Sequence, residues 1–169
     1  MAKGIIILGS SRSKGDTYTM AEYISGKTKY PIIDLKQKKI AEFDYDNKYD
    51  RDDEFMPLIR DIADNYDLII FASPVYWYSM SGIMKTFFDR LSDIIRYEKD
   101  TGRKFRGKSI SVVSCSGPDL VDGYYMPYRE SANYLGMNYK AEVHAWLTDG
   151  KLSAQVKTSL DQFISKAKD

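Results

Sequence analysis

A chain of 169 residues, 43% hydrophobic and 29% charged, is long enough for one domain with a sizeable core and has a globular rather than a disordered composition. Its formal net charge of +1 excludes strong bulk attraction to nucleic acid or an anionic membrane, and offers no acidic face to mark a dedicated electron carrier. The single cysteine, Cys115, excludes an internal disulfide and is compatible with a reducing cytosol.

Gly4 to Leu8 is a β-branched run without alternation, as expected of a strand covered on both faces. This apolar run is too short for a signal peptide or a membrane span, so a soluble, cytoplasmic protein is expected. Gly9 to Thr17 reads as a loop, and Tyr18 to Ser25 as a helix with Met20, Ala21 and Ile24 inward. Pro31 to Leu35 is a second strand. Lys36 to Asp52 is polar and aromatic with no clean period, and reads as a long connection. Asp53 to Asn65 places Phe55, Leu58, Ile59 and Ile62 at helical spacing, with Pro57 tolerable only in the first turn. Leu68 to Ala72 is a buried strand, which Pro74 is expected to end because it has no amide hydrogen.

From Ser79 to Tyr97, Met80, Ile83, Met84, Phe87, Phe88, Leu91, Ile94 and Ile95 form the best apolar stripe in the chain. Lys99 to Lys108 is a charged connection. Ile110 to Cys115 is a fourth strand, ending in the turn-like Ser116-Gly117-Pro118-Asp119. A helix near Tyr124 to Leu135 closes on Gly136. Tyr139 to Trp146 alternates like an edge strand, and Leu152 to Ala167 makes the last helix. No repeat or linker splits the chain, so residues 1–169 are expected to form a single domain. The alternation of strand and helix predicts an α/β fold, a doubly wound five-stranded parallel sheet with helices on both faces.

Ligands of such sheets bind outside the carboxyl ends of the strands, where strand order reverses. The loops to weigh are Gly9–Thr17, Ser73–Tyr78 and Ser114–Gly123. The first has the makings of an anion site. Hydroxyls of Ser10, Ser11, Ser13 and Thr17, the charge of Arg12, and the amides of Asp16, Thr17 and Tyr18 at a helix start all favour negative charge. There is no G-x-G-x-x-G, and Gly15 is followed by Asp16 rather than lysine, so neither a nicotinamide-dinucleotide fold nor a Walker loop is supported. In the second loop Pro74 and Val75 precede Tyr76 and Trp77, whose flat faces suit a planar heterocycle; Tyr78 and Met80 read better as partner or core contacts. The third loop is small and polar around Ser116 and Gly117, so its backbone can approach a ligand closely. Cys115 reads as a small buried hydrophobe, and His144, the only histidine, as a structural or solvated residue away from these loops. No His, Cys and carboxylate cluster has metal-ligand spacing. The acidic stretch Asp44 to Glu54 reads as a solvated connection.

GSSRSKGDTYTMA after the first strand, ASPVYWYSMSGIMKTFFDR after the third, and Tyr134-Leu135-Gly136-Met137 together resemble the flavodoxin-like NAD(P)H-dependent FMN reductases. The resemblance covers most of the chain and implies a flavodoxin-like strand order 2-1-3-4-5. It also implies FMN bound noncovalently, with Ser10, Ser11, Arg12, Asp16, Thr17 and Tyr18 around the phosphate. Pro74, Val75, Tyr76 and Trp77 would then hold the isoalloxazine, with Ser116 and Gly117 on its other edge. NADPH or NADH would donate hydride, and a quinone, free flavin or other small oxidant would receive the electrons. No side chain is assigned as catalytic acid or base, since the flavin carries the chemistry. A homodimer is also implied. An electron-transfer flavoprotein of the flavodoxin type and a non-enzymatic FMN-binding sensor remain the alternatives. Unlike many relatives the chain has no cysteine between Ile40 and Asp53, which argues against a cluster or redox disulfide there. Arg103, Lys104 and Arg106 read as a solvated charged turn rather than a site for the extra phosphate of NADPH.

Overall fold

The computed structural model describes residues 3–117, 120 and 122–169. At its centre β1 (Gly4–Leu8) is buried along its whole length, as its unbroken apolar run requires. It pairs in parallel with β2 (Ile32–Asp34) on one side and with β3 (Leu68–Tyr76) on the other. Beyond β3 come β5 (Ser109–Cys115) and then β6 (Asn138–Ala145), all parallel, in the order β2-β1-β3-β5-β6. A two-residue strand, β4 (Ser79–Met80), pairs antiparallel with the end of β3. Setting that ribbon aside, this is the five-stranded doubly wound order expected, and it reverses between β1 and β3.

Side chains alternate along the strands and divide the core into two layers. Ile5 and Ile7 face α2 (Phe55–Asn65), α3 (Gly82–Arg96) and α5 (Met126–Leu135). Ile6 and Leu8 face α1 (Asp16–Thr28) and α6 (Ala154–Lys168). A short helix, α4 (Lys99–Arg103), lies within the expected charged connection. Gly136 ends α5 at a φ of 70°, the left-handed cap anticipated there.

Pro74 does not end its strand. The ladder runs on, with Pro74 beside Cys115 of β5 and the strand continuing to Tyr76. Ala72 accepts from the amide of Gly9 at 2.9 Å, so residue 72, and with it residue 74, turns its polar edge toward β1. β1 has ended by that point, and the hydrogen that proline lacks would have faced the vacated side. A second correction follows from this longer strand. The next helix begins at Gly82 rather than Ser79, with the hydroxyl of Ser81 capping it by accepting from the Met84 amide at 3.1 Å.

The acidic connection before α2 is not simply solvated. Arg90 of α3 is completely buried and grips it from below. Its guanidinium donates to both carboxylate oxygens of Asp53 at 2.9 Å, to Asp93 at 2.7 Å and to the carbonyl of Ala41 at 3.0 Å. The rings of Tyr49 and Phe55 lie 3.5 and 4.7 Å from its central carbon. Burial alone would raise the pKa of Asp53, yet these bonds from Arg90 hold it below the ordinary carboxylate value.

Candidate functional site

Three loops meet at the carboxyl ends of β1, β3 and β5, and buried serines fix their spacing. Gly9 lies so close to the start of α3 that an added Cβ would come within 2.9 Å of the Met84 side chain. Its carbonyl accepts from the Ser81 hydroxyl at 2.7 Å, and the Ser81 amide donates to the Ser73 hydroxyl at 3.0 Å. One small polar cluster therefore ties the end of β1, the end of β3 and the head of α3 together. The carbonyl of Ser73 accepts in addition from the phenol of Tyr124 at 3.2 Å. A sequence scan passes over Ser73 and Ser81 because nothing marks a serine as buried until the strands are paired.

The first loop spends some of its polar groups internally, with the Ser13 hydroxyl accepting from the Gln37 side-chain amide at 3.1 Å, and leaves others without a partner among the described residues. Gly15 at the start of α1 offers no capping side chain, so the amides of Asp16, Thr17 and Tyr18 face outward with the positive end of the helix dipole behind them. Thr17 is only 3% exposed, and its hydroxyl has no partner among the described residues. The guanidinium of Arg12 is exposed and likewise unpartnered among them. Ser10 is buried and shapes the loop by accepting from the Arg12 amide at 3.2 Å. Tyr18 contributes backbone alone, because its phenol turns away to donate to Glu22 at 3.0 Å. Lys36 braces the loop from below, its ammonium donating to the carbonyl of Ser11 at 2.7 Å.

Ser11 also joins this loop to the second, its hydroxyl lying 2.6 Å from the phenol of Tyr76. The second loop is a hairpin tip. Val75 pairs with Met80 and Tyr76 with Ser79, which leaves Trp77 and Tyr78 as the two turn residues with φ of 48° and 64°. Both values lie in the left-handed region that two-residue hairpins normally fill with Asn-Gly. A large L-residue there costs about 1–2 kcal/mol. Trp77 is 94% exposed and Tyr78 65%. An unfavourable backbone carrying two large exposed rings marks this tip as a place where stability has been yielded to another demand.

The third loop stands level with the second, Ser114 beside Ser73 and Cys115 beside Pro74. Burial, with the charge of Asp16 adding to it, pushes the Cys115 thiol up to about 11, so it is not a nucleophile at neutral pH. The Ser116 hydroxyl donates to the Gly117 carbonyl at 3.3 Å, and the Gly117 amide has no partner among the described residues. Pro118, Asp119 and Val121, also part of this expected loop, lie outside the described residues.

His144 is a correction. It sits opposite Ser114 at the end of β6, with Nδ1 2.9 Å from the Ser114 hydroxyl and Nε2 3.1 Å from the Gly117 carbonyl. Its distance along the chain had hidden a position that the parallel pairing of β5 and β6 brings to the site. Arg103, Lys104 and Arg106 lie at the opposite end of the sheet, ahead of β5. There Arg103 pairs with Asp100 and Lys104 with Asp64, each at 2.6 Å. Among the described residues no three His, Cys, Asp or Glu side chains gather as a metal site.

This donor set fits a flavin mononucleotide. Among the described residues, uncapped amides and unpartnered Thr17 and Arg12 suit a phosphate, and an aromatic tip at the end of β3 with an unpartnered Gly117 amide beyond the neighbouring β5 suits a polar-edged ring. The fold, with its site at the reversal of strand order, defines a flavodoxin-like doubly wound protein. A family model described as NADPH-dependent FMN reductase matches residues 2–144. The chain belongs to this family: it is an oxidoreductase that uses FMN and takes its electrons from NAD(P)H.

Among known proteins it is 26% identical over 161 residues to the putative NAD(P)H-dependent FMN-containing oxidoreductase YwqN of Bacillus subtilis, covering 82% of this chain and 81% of that one. It is 30% identical over 98 residues to an FMN-dependent NADPH-azoreductase of Staphylococcus aureus, spanning 53% of this chain and 52% of the other. Among solved structures, the Trp repressor binding protein from Bacillus subtilis superimposes with a TM-score of 0.71 at 23% identity, covering 98% of this chain and 95% of that one. An FMN-dependent NADH-azoreductase from Bacillus anthracis, solved with FMN, gives 0.69 at 14% identity over 99% and 98% of the two chains.

Proposed function

We propose that this single-domain protein carries electrons from NAD(P)H to a small acceptor of the quinone or free-flavin class, with FMN seated across the three loops. The reading rests above all on one observation: the unspent anion-binding groups before α1 are joined, through Ser11 and Tyr76, to the aromatic tip at the next strand end. The amides of Asp16, Thr17 and Tyr18, the hydroxyls of Ser10, Ser11 and Thr17, and Arg12 bind the phosphate. Pro74, Val75, Tyr76 and Trp77 supply backbone and ring surface to the isoalloxazine, and Ser116 and Gly117 border its far edge. FMN, when bound, supplies the two-electron chemistry between nicotinamide and acceptor. The protein's part is to orient the ring, leave one face open to successive substrates and exclude water from the rest.

The protein works in the cytoplasm as a homodimer in this reading, the exposed rings of Trp77 and Tyr78 forming surface that a second protomer shields. No helix among the described residues is long and apolar enough to cross a membrane. Anaerobic mixing of FMN-loaded protein with NADH or NADPH, followed by a quinone or free flavin, tests the proposal. The flavin absorbance near the visible maximum should bleach and then return. Protein that stays colourless after incubation with FMN, or flavin that never bleaches, would refute it.

A further inference from the structure

Gly117 stands just beyond the end of β5 and is exposed, and a Cβ added there would meet nothing within 4 Å. The contacts the structure gives this residue among the described residues are hydrogen bonds to its carbonyl. Its carbonyl accepts from the Ser116 hydroxyl, which rides on the same loop, and faces Nε2 of His144, which belongs to the sheet. Only the second of these anchors the loop to a fixed element.

At the Gly117 carbonyl the donor and acceptor roles are determined by chemistry, and at Ser114 the shorter contact is with Nδ1 at 2.9 Å rather than with the Val143 carbonyl at 3.4 Å. A carbonyl can only accept, so Nε2 must carry the hydrogen. In the neutral ring Nδ1 is then an acceptor, and the Ser114 hydroxyl, 2.9 Å away, donates to it. The Ser114 oxygen accepts in turn from the phenol of Tyr125 at 2.8 Å, and burial raises the pKa of that phenol and keeps it protonated. Tyr125, Ser114 and His144 form one line of donors, rooted in buried structure and ending on the Gly117 carbonyl. The Gly117 amide belongs to the preceding peptide and is unpartnered among the described residues, so a loop anchored to β6 through the carbonyl leaves that amide for the site.

We infer that His144 is a positioning residue: its two ring nitrogens join Ser114 to the Gly117 carbonyl, fixing the third loop so that the Gly117 amide is presented to the flavin edge. This rests on the reading that Ser116 and Gly117 border the ring, and the test separates the two. In 15N-labelled protein the Gly117 amide resonance should move when FMN is added to the apoprotein. A resonance that stays still defeats the flavin-edge reading, and the inference with it.

His144→Phe and His144→Gln are then compared by FMN dissociation constant and by flavin midpoint potential. Glutamine retains a donor for Gly117 and an acceptor for Ser114, whereas phenylalanine retains neither. Phenylalanine should raise the dissociation constant roughly five- to tenfold, the worth of one neutral hydrogen bond, and shift the potential. Glutamine should stay within about twofold of wild type at an unshifted potential. If the Gly117 resonance responds to FMN but folded His144→Phe keeps both wild-type values, or glutamine fails as badly as phenylalanine, the inference alone is overturned. Should His144→Phe not fold, Ser114→Ala removes the Nδ1 partner with little change in volume. A smaller shift in potential in the same direction is expected of it, and unchanged potential and affinity would also overturn the proposal.

Discussion

Two polar regions flank α3, and they spend their hydrogen bonds in opposite ways. Around Arg90, carboxylates, a carbonyl and aromatic faces enclose a fully buried guanidinium, and the connection before α2 is locked to the helix. At the head of the same helix, the first loop and the hairpin tip hold back the uncapped start of α1, a guanidinium on Arg12 unpartnered among the described residues, and two rings on unfavourable backbone. Buried ion pairs contribute to a unique structure, whereas unspent donors in a fixed frame are what a ligand can use. The contrast predicts that damage to the first region costs folding and damage to the second costs binding.

The largest effect should come from the locked region. Arg90→Met leaves Asp53 and Asp93 buried without their counter-charge and should cost about 3–5 kcal/mol of stability, read by urea denaturation. FMN affinity of the fraction that folds should be unchanged, and a loss of affinity at full stability would break the comparison. Arg12→Ala should do the reverse. It should weaken FMN binding by about 1.5–3 kcal/mol, as for a charged hydrogen bond, while leaving the melting transition in place. Fluorescence titration and a thermal melt on the same sample check both halves.

The double change Trp77→Asn with Tyr78→Gly puts the residues that a two-residue hairpin prefers into the tip. It should raise stability by roughly 1–2 kcal/mol by relieving the left-handed backbone, and should weaken FMN binding. A variant that gains stability and binds as before would show that the rings serve something other than the flavin. The acid limb gives a gentler test. The folded pKa of Asp53 is lowered, so its contribution is present above the unfolded value of about 3.9 and is lost as pH falls through the lower folded value. Denaturation followed from pH 6 down to about pH 3 should show that loss in the wild type and a shallower slope in Asp53→Asn. The smallest signal is at Cys115. With its thiol pushed up to about 11 by burial, native protein at pH 8 should resist a disulfide reagent that titrates the unfolded chain at once.

Much of this molecule could be read from residue patterns because those patterns report burial. Unbroken runs such as Ile5 to Leu8 and the apolar stripe of α3 announce strand and helix directly, and their alternation gives the doubly wound parallel architecture, while the strand order comes from the family resemblance. Gly15, Arg12 and the hydroxyls of the first loop were visible for a related reason: small and charged residues between a strand and a helix are anion chemistry by type. What escaped depends on neighbours far along the chain. Pro74 looked like a stop because a local rule ignores which side of a strand is still paired. Nothing local marks Arg90 as buried, because Asp53 and Tyr49, which close over it, lie far away along the chain. His144 joined the site only through the register of β6 on β5. The hairpin at Trp77 and Tyr78 carries neither asparagine nor glycine, so no turn signal existed to be read.

The serine cluster beneath the site bears on how the cofactor arrives. Because the Ser81 hydroxyl donates to Gly9 while accepting from Met84, and its amide reaches Ser73, the frame is held by protein groups bonding to one another. Loading should then be a docking event on a finished surface, a single bimolecular phase whose observed rate rises linearly with FMN concentration and reaches no plateau.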